Sequence, residues 1–194
     1  AGNDDVFITK YNADGSYGWT KTFGSTSIDR GYGVSADSSG NVFVTGFFDG
    51  TVDFNAAGGG DIHTSAGFDT FITKYNADGS YGWTKTINPD EGHRISNDSS
   101  GNIFVVGIFY GTMDFDASAG VDNHTSVGYT DMYITKYNAD GSYGWTRTFG
   151  SNILYDDVFG VATDSAGNVF ATGAFYGTVD FDDTGGADIR TSAD

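Results

Sequence analysis

ITKYNADGSYGWT at residues 8–20 returns unchanged at 72–84 and again at 134–146. In each copy two β-rich runs flank Asn-Ala-Asp-Gly-Ser, a turn sequence whose glycine can take a left-handed conformation, so the block reads as a β-hairpin. Around the second copy the strands are 70–75 and 81–86. Successive side chains of a strand alternate faces, which puts Tyr81, Trp83 and Lys85 on one side and Gly82, Thr84 and Thr86 on the other.

Two more blocks repeat in register with the first. DSSGNVFVTG begins at Asp37, DSSGNIFVVG at Asp98 and DSAGNVFATG at Asp164; GTVDF begins at Gly50, GTMDF at Gly111 and GTVDF at Gly177. Copies lie 61 to 66 residues apart, so three units account for the chain. The block at Asp37 supplies a second hairpin per unit, with strands 31–37 and 41–48. Residues 49–69, rich in Gly, Ala and Asp, read as a long connection between hairpins. Four antiparallel strands per unit is the pattern of a β-propeller blade, although the units exceed the roughly 40 to 50 residues of common blades. A β-helix has shorter coils and parallel sheets, which these hairpin turns oppose.

The expected fold is therefore all-β, with three blade equivalents in one domain or arc. It divides into a half-blade at 1–30, blades at 31–91 and 92–156, and a half-blade at 157–194. A ring of three falls below the usual range of roughly four to eight blades, and an open arc leaves strand edges ready to pair with another chain. A head-to-tail homodimer with six blades is the expected solution; the alternative is a segment of a longer propeller.

The combination of DSSGNVFVTG, GTVDF and TSAGFDTFITKYNADGSYGW (residues 64–83) resembles the bacterial β-propeller repeat known as SBBP. The likeness extends over essentially the whole chain, three times. It implies propeller blades, a bacterial extracellular or cell-surface setting, and recognition rather than one defined chemistry. The long insert after GTVDF and the identity of the thirteen-residue block depart from that pattern, and the latter suggests recent duplication or design.

Composition agrees with the hairpin reading. Glu91, Leu154 and Pro89 are the only residues of their kinds, so 25 of the 26 acidic residues are aspartate, and 30 residues are glycine. Helix formers are scarce while turn and strand formers abound. Twenty-six acidic against nine basic residues give a formal charge of -17, which cannot line a phosphate-tracking groove and would be repelled by an anionic membrane. No apolar run approaches the roughly 18 residues of a membrane span, so neither nucleic-acid binding nor membrane insertion is expected. No signal-like segment precedes Ala1, and an exported form is expected to have lost its own. Absence of cysteine excludes disulfides, thiolate nucleophiles and thiolate metal sites.

Three kinds of site remain. Asp53, Asn55 and Asp61 recur as Asp114, Asp116 and Asp122 and as Asp180, Asp182 and Asp188, with the same spacing. Loops presenting oxygens in this way can wrap Ca²⁺, which takes about six to eight oxygen ligands. The fifth loop position is Ala57, Ser118 or Thr184, which weakens the ligand set, and aspartates capping their own turns explain the pattern equally. Tyr17, Tyr81 and Tyr143 with Trp19, Trp83 and Trp145 suit stacking on sugar rings, a glycan or protein ligand being the alternative to packing between blades. The paired aromatics Phe47-Phe48, Phe109-Tyr110 and Phe175-Tyr176 carry the same two readings. His93 beside Glu91 is the one asymmetric cluster that could serve acid–base chemistry; His63 and His124 occupy matched positions that Arg190 takes in the third unit. The Asn97 and Asn123 glycosylation patterns are of chance frequency in so polar a chain. The functional expectation is a non-enzymatic recognition or adhesion scaffold, with a structural or self-assembling module second and a tunnel-site hydrolase or lyase third.

Overall fold

The computed structural model describes residues 2–55, 59–87, 90–153 and 155–193. Among them all regular structure is β. Pro89, Ala57 and Leu154, and the termini Ala1 and Asp194, lie outside the described residues.

Two four-stranded antiparallel sheets occupy the middle of the chain. The first orders β3 (Arg30–Ala36), β4 (Val42–Asp53), β5 (Ile62–Tyr75) and β6 (Tyr81–Ile87). The second orders β7 (Asp90–Asn97), β8 (Ile103–Phe109), β11 (Asp131–Tyr137) and β12 (Tyr143–Phe149). A two-stranded sheet stands at each end: β1 (Val6–Tyr11) with β2 (Tyr17–Phe23), and β13 (Asp157–Thr163) with β14 (Val169–Ala174). Short hairpins β9 (Thr112–Asp114) with β10 (Asn123–Thr125) and β15 (Thr178–Asp180) with β16 (Ile189–Thr191) form separately.

The repeated turns close by the same bonds each time. The Gly79 amide donates to the Asn76 carbonyl at 2.8 Å, and Asp78 accepts from the Ser80 amide at 2.8 Å; the turns at Asp14 and Asp140 repeat the pattern. At the other hairpin the Asp37 carboxylate accepts from the amides of Ser39 and Asn41, both at 2.9 Å, as Asp98 and Asp164 do in their copies. Facing Thr73 and Thr84 pair through their hydroxyls at 3.1 Å, and Thr135 with Thr146 at 2.9 Å.

Glycine is required at Gly46, Gly107 and Gly173 by close approach. A side chain there would collide with the carbonyl of Arg30, Glu91 or Asp157 on the neighbouring strand, beside a register shift that occurs in all three inner hairpins. The bulge brings the two backbones too near for a Cβ.

The segment expected as a connection is structured. β4 continues past a register shift at Phe48/Gly50, and Gly50 to Asp53 pair with Ser65 back to Ile62. β9–β10 and β15–β16 are its counterparts in the next units. Val52 and Phe54 point inward from this hairpin and are buried, as are Met113 and Phe115. The alternation in GTVDF is a strand signal that the surrounding glycine-rich composition masked.

The sheets pack face on face through three cores. Val6, Ile8 and Phe23 of the first hairpin meet Val44, Phe48, Phe54, Phe71 and Tyr75 of the first four-stranded sheet. The opposite face of that sheet, with Phe43, Ile72 and Ile87, meets Ile103, Val105, Phe109, Phe115, Tyr133 and Tyr137. A smaller core joins Val106 and Met132 to Val158, flanked by Ile134, Phe149 and Phe175. β3, β7 and β13, the first strand of each inner hairpin, lie beside one another in that order. The chain is thus an all-β protein of antiparallel hairpins stacked in series.

Candidate functional site

The acidic loops sit at the tips of the hairpins that extend each four-stranded pattern. Asp53 Oδ1 accepts two backbone N–H bonds, from Asn55 at 3.0 Å and Asp61 at 2.9 Å. Asp114 accepts from Asp116 at 3.0 Å and Asp122 at 2.8 Å; Asp180 accepts from Asp182 at 3.0 Å and Asp188 at 2.9 Å. The regular spacing thus has a concrete use: the first carboxylate spans the loop and satisfies amides that the turn leaves unpaired. Asp116 and Asp182 in turn accept the amides of Ser118 and Thr184 at 2.9 and 3.0 Å. Ala57, the fifth position of the first loop, is outside the described residues. Among the described residues no group of three or more His, Asp or Glu side chains is gathered as a metal site requires.

In the first two units the last aspartate of the loop meets the same set of partners. Asp61 takes the Tyr81 hydroxyl and stands 3.2 Å from His63 Nε2; Asp122 takes the Tyr143 hydroxyl and stands 3.3 Å from His124 Nε2. Burial, and then the bond to the carboxylate, push both tyrosine hydroxyls well above their ordinary proton affinity. Each histidine's other nitrogen lies 3.3 or 3.1 Å from Thr86 or Thr148. In the third unit Arg190 replaces the histidine and pairs with Asp188. The position keeps a donor for the loop carboxylate, not an imidazole for its chemistry.

The tryptophans are placed at the joints between sheets. Trp19 packs against the core shared with Tyr75, 6.2 Å between ring centroids, and Trp83 stands 6.2 Å from Phe43. The turn glycine of the following hairpin lies on each ring: a Cβ built on Gly79 would sit 3.1 Å from Trp19, and one on Gly141 would sit 3.0 Å from Trp83. Trp145 contacts Phe104 at 6.0 Å and carries the Arg147 guanidinium 5.5 Å over its ring. Tyr17 is exposed, while Tyr81 and Tyr143 are half-buried with their loop aspartates. Of the paired aromatics, Phe47, Phe48 and Phe109 are buried, and Tyr110 and Tyr176 are exposed.

His93 lies where β7 meets β13. Its Nε2 is 3.4 Å from Glu91, and its Nδ1 is 3.2 Å from both the Val158 carbonyl and Asp157. Burial opposes its protonation, yet the bonds to Glu91 and Val158 and the charges of Asp157 and Glu91 together raise its proton affinity above the ordinary value. In its protonated form His93 links β7 to β13 through Glu91, the Val158 carbonyl and Asp157.

The buried aspartates Asp29, Asp69, Asp131 and Asp156 escaped notice in the sequence, and two of them play matched parts. Asp29 accepts the Ser25 amide at 2.6 Å and the Asp49 amide at 3.2 Å; Asp156 accepts the Ser151 amide at 2.6 Å and the Tyr176 amide at 2.9 Å. Both tie the incoming loop to the end of the adjacent strand. The shared Phe-Gly-Ser at 23–25 and 149–151, each followed by aspartate a few residues on, is the signal that marks them. Another feature is confined to one joint: the rings of Tyr129 and Tyr155 meet at 4.7 Å between centroids with their planes tilted by 58°, and both are exposed.

No family model matches the chain. It is similar to an uncharacterized WD repeat-containing protein of Acanthamoeba polyphaga mimivirus, 27% identical over 206 aligned residues that cover 91% of this chain and 15% of that protein. It is also similar to the regulatory protein FlaEY of Caulobacter vibrioides, 28% identical over 178 aligned residues, 89% of this chain and 18% of that protein. The chain therefore spans less than a fifth of the length of either relative. These likenesses agree with a β-type repeat protein.

Proposed function

We propose that the chain is a non-enzymatic recognition scaffold, an arc of a β-propeller working outside the cell. The observation that carries this reading is the use to which the repeated polar residues are put. Turn aspartates cap amides, loop aspartates span their own loops, threonines pair across strands, and His93 bridges β7 and β13. Little is left over for acid–base work. Face-to-face stacking with β3, β7 and β13 side by side supports blades arranged around a common axis. The similarity to a WD repeat-containing protein supports the same reading. The extracellular setting rests on the resemblance to repeats of secreted and surface proteins.

Ligand specificity in a repeat scaffold resides in the positions that differ between repeats. The Tyr129–Tyr155 pair is such a position, offering two exposed aromatic faces to a sugar ring or an apolar peptide segment. The test is a glycan and peptide array. Binding by the native chain that is lost in Tyr129→Ser/Tyr155→Ser, with the melting temperature unchanged, is expected. Hydrolase or lyase turnover abolished by His93→Ala would favour an enzyme instead.

A further inference from the structure

The two ends of the chain carry the two halves of one four-stranded sheet. β13–β14 match the inner pairs β3–β4 and β7–β8, while β1–β2 match the outer pairs, β5 (from Thr70)–β6 and β11–β12. The repeated sequence fixes the correspondence: Val169 stands where Val42 and Ile103 stand, and Tyr11 where Tyr75 and Tyr137 stand. We infer that β1 of a second copy pairs antiparallel with β14, and that two copies join head to tail at both ends to close one ring. The inference builds on the propeller reading above.

The internal joints of the chain serve as templates for this contact. Both set the register, Val42 opposite Tyr75 and Ile103 opposite Tyr137, so Val169 faces Tyr11 of the second copy, Ala171 faces Thr9 and Gly173 faces Phe7. Side chains that the internal joints bury stand in water at the ends. Phe170 is 58% exposed while its counterparts Phe43 and Phe104 are 1% and 2% exposed. Phe7 is 69% exposed against 0% for Phe71 and Tyr133, and Tyr11 is 64% exposed against 4% and 1% for Tyr75 and Tyr137. Val34, 65% exposed, matches Ile95 at 7%.

Each end surface also carries an open groove. Met132, Ile134, Phe149, Phe175 and Phe181 line an open groove of about 400 Å³. Their counterparts at the first joint are Val6, Ile8, Phe23, Phe48 and Phe54, and the side chain they enclose is Phe71, whose ring lies 5.2 Å from Phe23 and 5.5 Å from Phe54. Phe7 of the second copy belongs in that groove. At the other end a groove of about 760 Å³ runs past Val6, Ile8, Val34 and Val44, where Phe170 of the second copy would cover Val34. The tryptophan series gives an independent match. Gly79 and Gly141 lie on Trp19 and Trp83, whereas a Cβ built on Gly15, the first of the three turn glycines, would meet nothing within 4 Å. Trp145 is the third of the tryptophans and shares the face of Met132 and Ile134. It is placed to receive Gly15 of the second copy.

Light scattering of the 194-residue chain tests this directly. A mass near twice 20.5 kDa is expected, halved by Phe170→Asp, whose side chain is solvent-exposed in a single copy and need not disturb its folding. The chain has no native cysteine, so Thr9→Cys/Ala171→Cys offers one thiol on each edge. A short bismaleimide should join these thiols into a covalent dimer. A folded all-β monomer, an intramolecular cross-link, or a ladder of higher polymers would each overturn the proposal. A folded monomer that keeps its ligand on the array leaves the scaffold reading standing, which separates the two failures.

Discussion

Gly141 and Gly15 share a turn, a sequence context and a φ near +80°, yet they differ in what lies above them. At Gly141 an alanine meets backbone strain of about 1–3 kcal/mol and also pushes on Trp83. Gly141→Ala should therefore lower the melting temperature more than Gly15→Ala at a concentration where the chain is monomeric, by calorimetry. His93 supports a second prediction at this scale. Its folded-state proton affinity is raised above the ordinary value of 6.5. Its charged form faces Glu91 and Asp157, with the Tyr32 ring edge-on at 5.9 Å and the Arg94 guanidinium held on the His93 carbonyl. The resulting stabilisation is complete below pH 6.5 and is lost as pH rises through the higher folded value. Denaturant titrations from pH 5 to pH 8 should show this slope in the native chain and a flatter profile in His93→Gln.

Among the elements, the hairpins were legible because turn chemistry and strand alternation coincide in the thirteen-residue block. The extension of β4 and β5 was not legible, because its inward Val52 and Phe54 are set among glycines and aspartates that signal a loop when read one by one. The loop aspartates were found by spacing, but spacing alone does not tell a cation's ligand from an amide's acceptor. Hydrogen bonds from two amides to Asp114 give one of its oxygens a use within the loop itself. Asp114→Ala should cost about 1–3 kcal/mol, since it leaves both donors unsatisfied in a part-buried tip. A melting curve that is the same in Ca²⁺ and in chelator is expected if amides alone hold these loops, whereas an upward shift with Ca²⁺ would show that the loops bind the cation. The hairpin turns at Asp14, Asp78 and Asp140 give an acid-side counterpart. Bonds from the hydroxyl and amide of the following serine lower all three carboxyl affinities below the ordinary 3.8. Their contribution is present above that value and fades as pH falls through the lower folded one.

For the whole molecule, charge and the open edges act in opposite directions. A formal charge of -17 on each copy repels a second copy, while the proposed pairing of β1 with β14 would bury their exposed aromatics. Dimerisation followed by light scattering should therefore strengthen as salt is raised from about 0.01 to 0.15 M, because screening shortens from about 30 Å to about 8 Å. The phase of the repeats, an outer hairpin first and an inner hairpin last, was legible in the sequence. The sequence did not show which face each tryptophan would meet, since that depends on how one sheet leans on the next.

The identical hairpins have a further consequence, which concerns folding rather than the folded state. Nothing in residues 8–20, 72–84 or 134–146 tells the chain which inner strand each block should dock on. Assignment falls to the tethers between blocks and to the few variable neighbours, such as Val6 against Thr70 and Met132. A tether favours the correct neighbour only while other copies are dilute. Concentrated unfolded chains therefore compete for one another's edges on nearly equal terms, and what selects the right partner is the length of the intervening chain.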